Sequence, residues 1–215
     1  MPDTSPSIPL KIVKRKRADI PEKLAAVRKT ALYLLIQYGY EATTMISIAK
    51  HAKMSKETLY GLFDSKDALF ADLIQHNAMH MNAELKFLLN EQTLPLDQQL
   101  IRFGTKFLTL ITSDQAIAIN QIAIATMKSN NNLAQLLYQH GRQANLPLLN
   151  SLLKNAEHTQ KLKQTLPENA GEIFIGLLLG DLQSRRLLGI EPAPDHIYIA
   201  QRAAQAANYF IKIFS

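Results

Sequence analysis

From Pro21 onward the apolar residues Leu24, Val27, Ala31, Leu34 and Leu35 recur at intervals of three and four, which is the spacing of one helix face. Pro21 suits a first turn and Gly39 a C-terminal stop, so the pattern predicts a helix over 21–38. Thr44 can cap a second, short helix whose apolar face is Met45, Ile48, Ala49 and Ala52. Ser47 stands where a capping box wants an acid, and it weakens that box. Ser55 is a strong N-cap for a third helix over 56–63, with Met54 and Leu59 placed to form a hydrophobic staple. Leu59, Leu62 and Phe63 then turn inward, while Lys56, Glu57, Thr58, Tyr60 and Gly61 face out. Two short helices flanking Lys53 and Met54 outline a helix-turn-helix.

Ser65 caps a fourth helix with Asp67 in its first turn and a long apolar stripe of Leu69, Leu73, Ile74, Met81, Leu85 and Leu88, ending near residue 90. The remaining pattern predicts helices near 97–112, 114–129, 132–156 with Pro147 as a kink or break, 168–188 and 195–214. No segment alternates convincingly with period two. The expected fold is all-α: a three-helix head over residues 18–66, and a larger helical body over 67–215. A flexible arm of residues 1–17 precedes the head.

Charge sharpens the picture because of where it sits. Residues 1–70 carry 12 Lys+Arg against 7 Asp+Glu, whereas residues 71–215 carry 12 against 11. A positive field confined to the first third favours a polyanionic partner there. Five basic residues crowd positions 11–17 (KIVKRKR), in a segment that also reads simply as a solvated tail. With 47% hydrophobic residues the chain of 215 can bury a substantial core. The absence of cysteine excludes disulfides, thiolate metal sites and a cysteine nucleophile. Apolar runs such as residues 173–179 fall far short of a membrane span, so the expectation is a cytoplasmic protein without a membrane partner.

The string TTMISIAKHAKMSKETLYGLFDSKDAL at residues 43–69 resembles the tetracycline-repressor (TetR) family of bacterial regulators. The matching features are the Gly39-Tyr40 stop, the Thr-Thr pair, Ile48-Ala49, Ser55, the Thr58-Leu59-Tyr60 core, Phe63, and Ser65-Lys66 before Leu69. More weakly, Gly180-Asp181 and the run Arg185-Arg186-Leu187-Leu188-Gly189 resemble the C-terminal domain of AefR-like members. The resemblance implies a homodimer whose second and third helices bind double-stranded DNA at a palindromic operator. It also implies a body that holds a small-molecule effector, with repression as the common outcome. Four positions depart from the family pattern. Lys53 replaces the usual turn glycine, so a side chain has to hold positive φ at a cost of about 1 kcal/mol. Gly61 and Leu62 stand where aromatic residues or His are common, and Ile46 where the family is often polar.

A recognition helix offers its N-terminal turn to the major groove. Lys56 suits guanine or phosphate there, and Thr58 can donate, accept or offer its methyl to thymine. Glu57 is repelled by phosphates unless it accepts from cytosine, and it is expected to tilt away. By resemblance, Tyr60 and Lys66 reach phosphates, which position the protein and do not specify sequence. With Thr44 and Ser55 at the two caps, the DNA-facing set is Thr44, Ser55, Lys56, Glu57, Thr58, Tyr60 and Lys66.

Phe103, Phe107, Met127 and Tyr138 could line a ligand cavity, although such residues are more often plain core. The last two long helices are expected to form a four-helix dimer interface through Ile173, Leu177, Gly180, Ala200, Ala204, Ala207 and Ile211; the competing reading is that they only complete the protomer core. His76 and His80 share a helix face but have no third ligand, so no metal or other cofactor is expected. Gly176 and Gly180 suit close helix approach, since no Gly-Lys-Ser/Thr follows to make a phosphate loop. No Ser-His-acid set assembles, so the chain is not expected to be an enzyme. The rival function is a helical protein-interaction module of the same fold that no longer binds DNA; the basic arm with Lys56, Tyr60 and Lys66 argues against it.

Overall fold

A computed structural model describes residues 20–89, 94–128, 132–158 and 165–214, which are helical and carry no strand. The basic arm at 1–17 lies outside the described residues, as does the expected end of the fourth helix at 90. The described helices are α1 (Ile20–Ala42), α2 (Met45–His51), α3 (Lys56–Tyr60), α4 (Lys66–Leu89), α5 (Leu96–Ile111), α6 (Asp114–Thr126), α7 (Asn132–His140), α8 (Arg142–His158), α9 (Ala170–Leu179), α10 (Leu182–Leu187) and α11 (His196–Phe214). None of them alone is long and apolar enough to cross a membrane.

Two apolar clusters organise these helices. In the first, α1 buries Val27, Ala31, Leu34 and Leu35 against Ile48 and Ala49 of α2 and Leu59 of α3. The cluster continues beyond residue 66, taking in Leu69, Phe70, Leu73 and Ile74 of α4 and Ala118, Ile119 and Ile122 of α6. With Leu133 of α7 in it as well, the head shares its core with three helices of the body. A bidentate pair reinforces the joint: Arg28 of α1 donates to both carboxylate oxygens of Asp72 on α4 at 2.7 and 2.8 Å, and that carboxylate raises the guanidinium pKa.

The second cluster fills the body. Phe103 and Phe107 of α5, Phe174 of α9, and Phe210 and Phe214 of α11 stack in sequence, with centroid separations from 4.9 to 6.5 Å. Arg186 of α10 is also buried in the body. It donates to the Thr112 carbonyl at 3.1 Å, to the Asp114 carboxylate at 2.6 Å and to the Glu191 carbonyl at 2.9 Å, tying α10 to the α5–α6 corner.

The third helix, expected over 56–63, ends at Tyr60, and two longer segments divide differently from the sequence reading. The segment 132–156 breaks at Gly141, not at Pro147, which lies inside α8. The chain turns there so tightly that a Cβ on Gly141 would sit 2.6 Å from the Leu137 carbonyl oxygen, a position only glycine fills. The expected single helix 168–188 is two helices, because Gly180 adopts φ 48. Arg202 of α11 reaches across that break and donates to the Leu178 carbonyl at 2.8 Å, satisfying an orphan acceptor at the end of α9.

Candidate nucleic-acid interface

Local chemistry builds the two helices that would meet DNA. Thr44 caps α2 by accepting from the Ser47 amide at 3.1 Å, and Ser47 returns the bond by accepting from the Thr44 amide at 3.0 Å. The capping box expected to be weakened by Ser47 is thus complete, since a hydroxyl spans the same gap as the usual acid. The turn that follows places Lys53 at φ 53, the left-handed conformation anticipated for the missing glycine. Lys53→Gly should accordingly stabilise the protein by about 1 kcal/mol, raising the melting temperature by roughly 2–4 °C. An unchanged or lower melting temperature would mean that the Lys53 side chain compensates the strain.

Ser55 caps α3, accepting from the Thr58 amide at 3.1 Å, and its Oγ lies 3.0 Å from the Thr58 hydroxyl. Glu57 is fully exposed, and its pKa is lowered first by its own backbone amide and then by the Ser55 hydroxyl. Either hydroxyl of the Ser55–Thr58 pair can donate to the other. Lys56 is exposed with its Nζ 5.7 Å from the Tyr60 ring centroid, and Tyr60 is itself exposed. Leu59 and Phe63 are buried and Leu62 half-buried, anchoring α3 from below.

Lys66 is more committed to the head than its expected phosphate role implies. Its Nζ donates to the Tyr40 carbonyl at 2.9 Å and lies 3.8 Å from the Tyr40 ring centroid. The Tyr40 hydroxyl in turn donates to the Asp67 carboxylate; burial and this carboxylate push its pKa up. An ammonium has three donors, so one bond within the head leaves capacity for a phosphate oxygen. The sequence reading gave no contact role to Lys50, nor to Lys53 beyond its backbone, yet both are exposed at the end of α2 and in the turn. Their signal was a positive charge outside the apolar face of α2. Ile46 is also exposed there, at 63%.

Of the residues expected to line a cavity, Phe107, Met127 and Tyr138 do line one of about 390 Å³ in the body. Phe103 does not: it sits behind Phe107, stacked on it at 5.8 Å, and is 1% exposed in the protomer core. The wall also includes Asn77, Asn120, Asn145 and Gln183, polar residues on otherwise apolar helix faces that periodicity alone did not pick out.

Along α11, Ala200 and Ala204 are exposed and Ile211 is half-buried, while Ala207 is fully buried within the protomer. Ala207 therefore has no surface to give a partner, and the expectation for it is corrected. The reason is that the small residues of α11 serve first to bring α5 close: a Cβ on Gly104 would stand 3.3 Å from the Ala203 methyl. On α9, Ile173 and Leu177 are half-buried, and Gly180 beyond it is exposed. His76 and His80 lie exposed on α4, and the described residues hold no group of three metal-ligating side chains.

A capped helix-turn-helix seated on a helical body defines a DNA-binding regulator architecture. Comparison with known proteins bears this out. Residues 27–73 match the model of bacterial regulatory proteins of the tetR family, and residues 98–215 match the AefR-like transcriptional repressor C-terminal domain. The chain belongs to the TetR family of transcriptional regulators. The helix-turn-helix-type regulator YuxN of Bacillus subtilis is 40% identical over 55 residues, which span 26% of this chain and only 19% of that relative. A TetR-family regulator from Mesorhizobium loti shares the fold with TM-score 0.79 at 19% identity, over 91% of this chain and 98% of that one. The flavonoid-responsive regulator FrrA is 27% identical with TM-score 0.64, over 91% of this chain and 98% of its own.

Proposed function

We propose that the chain is a homodimeric, ligand-responsive repressor that reads a two-fold symmetric operator with α3. Its head comprises residues 18–66 and its ligand-binding and dimerisation body residues 67–215. The observation that carries this reading is the α2–α3 unit itself: a doubly capped pair of short helices whose outer surface presents Lys50, Lys53, Lys56, Thr58 and Tyr60 together. Lys56, Tyr60, Lys66 and Thr44 hold phosphates, and Ser55 fixes the first turn of α3. Thr58 reads a base edge, through its hydroxyl or its methyl. Glu57 stays at the cap and makes no base contact. The rival interaction module gives no reason for this clustering of exposed lysines about a capped helix.

Ligand response follows from where the cavity lies. Ile119 of α6 lines it and also belongs to the head cluster, and Asn77 and Met81 on its wall come from α4. An occupant bearing on these side chains shifts two of the helices on which the head rests. That shift alters the spacing of the recognition helices in a dimer. The flavonoid response of FrrA supports a small-molecule effector of this kind. Catalysis forms no part of this function, which is carried out in the cytoplasm.

Binding to operator DNA should fall steeply with salt. A dimer touching on the order of 6–10 phosphates gives a log–log slope near −0.9 per phosphate. Thr58→Ala should leave that slope unchanged and relax base preference at one position of each half-site, with about 1–3 kcal/mol at stake. A flat salt response, or a Thr58→Ala protein with unaltered preference, would contradict the assignment.

A further inference from the structure

The body cavity has a buried interior and an exposed rim. Phe107, Ile119 and Ala123 in its wall are buried, whereas Ile124 and Met127 at the C-terminal end of α6 and Tyr138 of α7 are each more than half exposed. The cavity therefore opens to solvent between α6 and α7. Three large, mainly apolar side chains gathered at one mouth leave a patch of apolar surface in water, and an occupant that covers it is favoured.

The interior restricts what that occupant can be. Its wall is Met, Phe, Ile, Leu and Ala interrupted by the neutral amides of Asn77, Asn120, Asn145 and Gln183, and among the described residues no charged side chain lines it. Two of these amides are engaged within the protein: Asn77 accepts from Gln115 at 2.5 Å, and Asn120 donates to the Ala116 carbonyl at 2.8 Å. Burying a carboxylate, phosphate or ammonium without a counter-charge is strongly unfavourable. The volume of about 390 Å³ lies toward the small end of the range of roughly 300–1,000 Å³ for small-molecule sites.

We infer that the cavity takes an uncharged, mainly apolar small molecule, which enters between α6 and α7 and covers Ile124, Met127 and Tyr138 on the rim. The assignment rests on the ligand-responsive reading above and specifies the chemical class of its effector. Apolar contact supplies the affinity, and the neutral wall selects against a charge carried inward.

Calorimetric titration of the full chain with β-naphthamide, β-naphthoate and β-naphthylmethylammonium at neutral pH tests it. The three probes share one ring system and differ in charge. The amide should bind on the order of tenfold or more tightly than either ion. Gln183→Arg, which adds a cation to the wall, should raise naphthoate affinity on the order of tenfold and weaken that of the ammonium. Ile124→Ser, a change at an exposed side chain, should weaken the amide several-fold and leave the melting temperature unchanged. An ion bound as tightly as the amide, or affinities untouched by both substitutions, would overturn the assignment while leaving ligand response standing. Failure of all three probes to bind would count against ligand response itself and overturn the inference with it.

Discussion

Ala204→Glu should convert the protein to a folded monomer and reduce its operator affinity by about 100- to 10,000-fold. Ala204 is exposed on α11 in the protomer, so a glutamate there is fully solvated in a single chain and leaves its core intact. Under the proposed two-fold interface the same position is covered, and symmetry brings two introduced carboxylates into one apolar patch. Loss of the dimer uncouples two heads whose joint binding multiplies affinity by roughly 10²–10⁴. Sedimentation would show the mass halve while the circular dichroism stays helical. Ala207→Glu serves as the contrast, because Ala207 is fully buried within the protomer and a carboxylate there should unfold the chain. A dimeric Ala204→Glu protein with unchanged operator affinity would contradict this interface.

Leu59→Ala should cost about 2–5 kcal/mol of stability and remove specific DNA binding well below the melting temperature. The helix α3 is only five residues long, too short to persist without tertiary support. Leu59 is its buried residue, with no exposed surface, set into the core formed by α1, α2 and α4. Truncation opens a cavity under the recognition helix and frees it from the geometry in which Lys56 and Thr58 face outward together. Thermal melts and binding to operator DNA should therefore worsen together, in contrast to Thr58→Ala, which alters preference and spares stability. A Leu59→Ala protein that melts like the wild type would show that α3 is held by other contacts.

The head was legible in the sequence because each of its signals is local. Thr44 and Ser55 cap within three residues, Leu59 anchors within its own turn, and the strain at Lys53 follows from a family turn that wants glycine. The clusters of the body depend on contacts distant in sequence, and there the pattern misled. The apolar run 173–179 ends at Gly180-Asp181, yet Gly180 reads as a site of close helix approach, and the contact that holds the break there comes from Arg202 of α11, 22 residues away. Pro147 drew attention as the usual helix breaker while the tight turn at Gly141 did the breaking. On α11 the alanines form a broad face, and only packing within the protomer, such as that of Ala203 near Gly104 of α5, separates Ala203 and Ala207 inside from Ala200 and Ala204 outside. Phe103 and Phe107 are one helical turn apart and equivalent as sequence, yet just one reaches the cavity.

Sequencing DNA selected from a random pool by the purified full chain tests the central claim most directly. The account predicts strong enrichment of one two-fold symmetric motif whose half-sites lie about 34 Å apart, or a multiple of it, so that both recognition helices enter successive major grooves. A pool that stays unenriched, or one that yields a single asymmetric site, would contradict it.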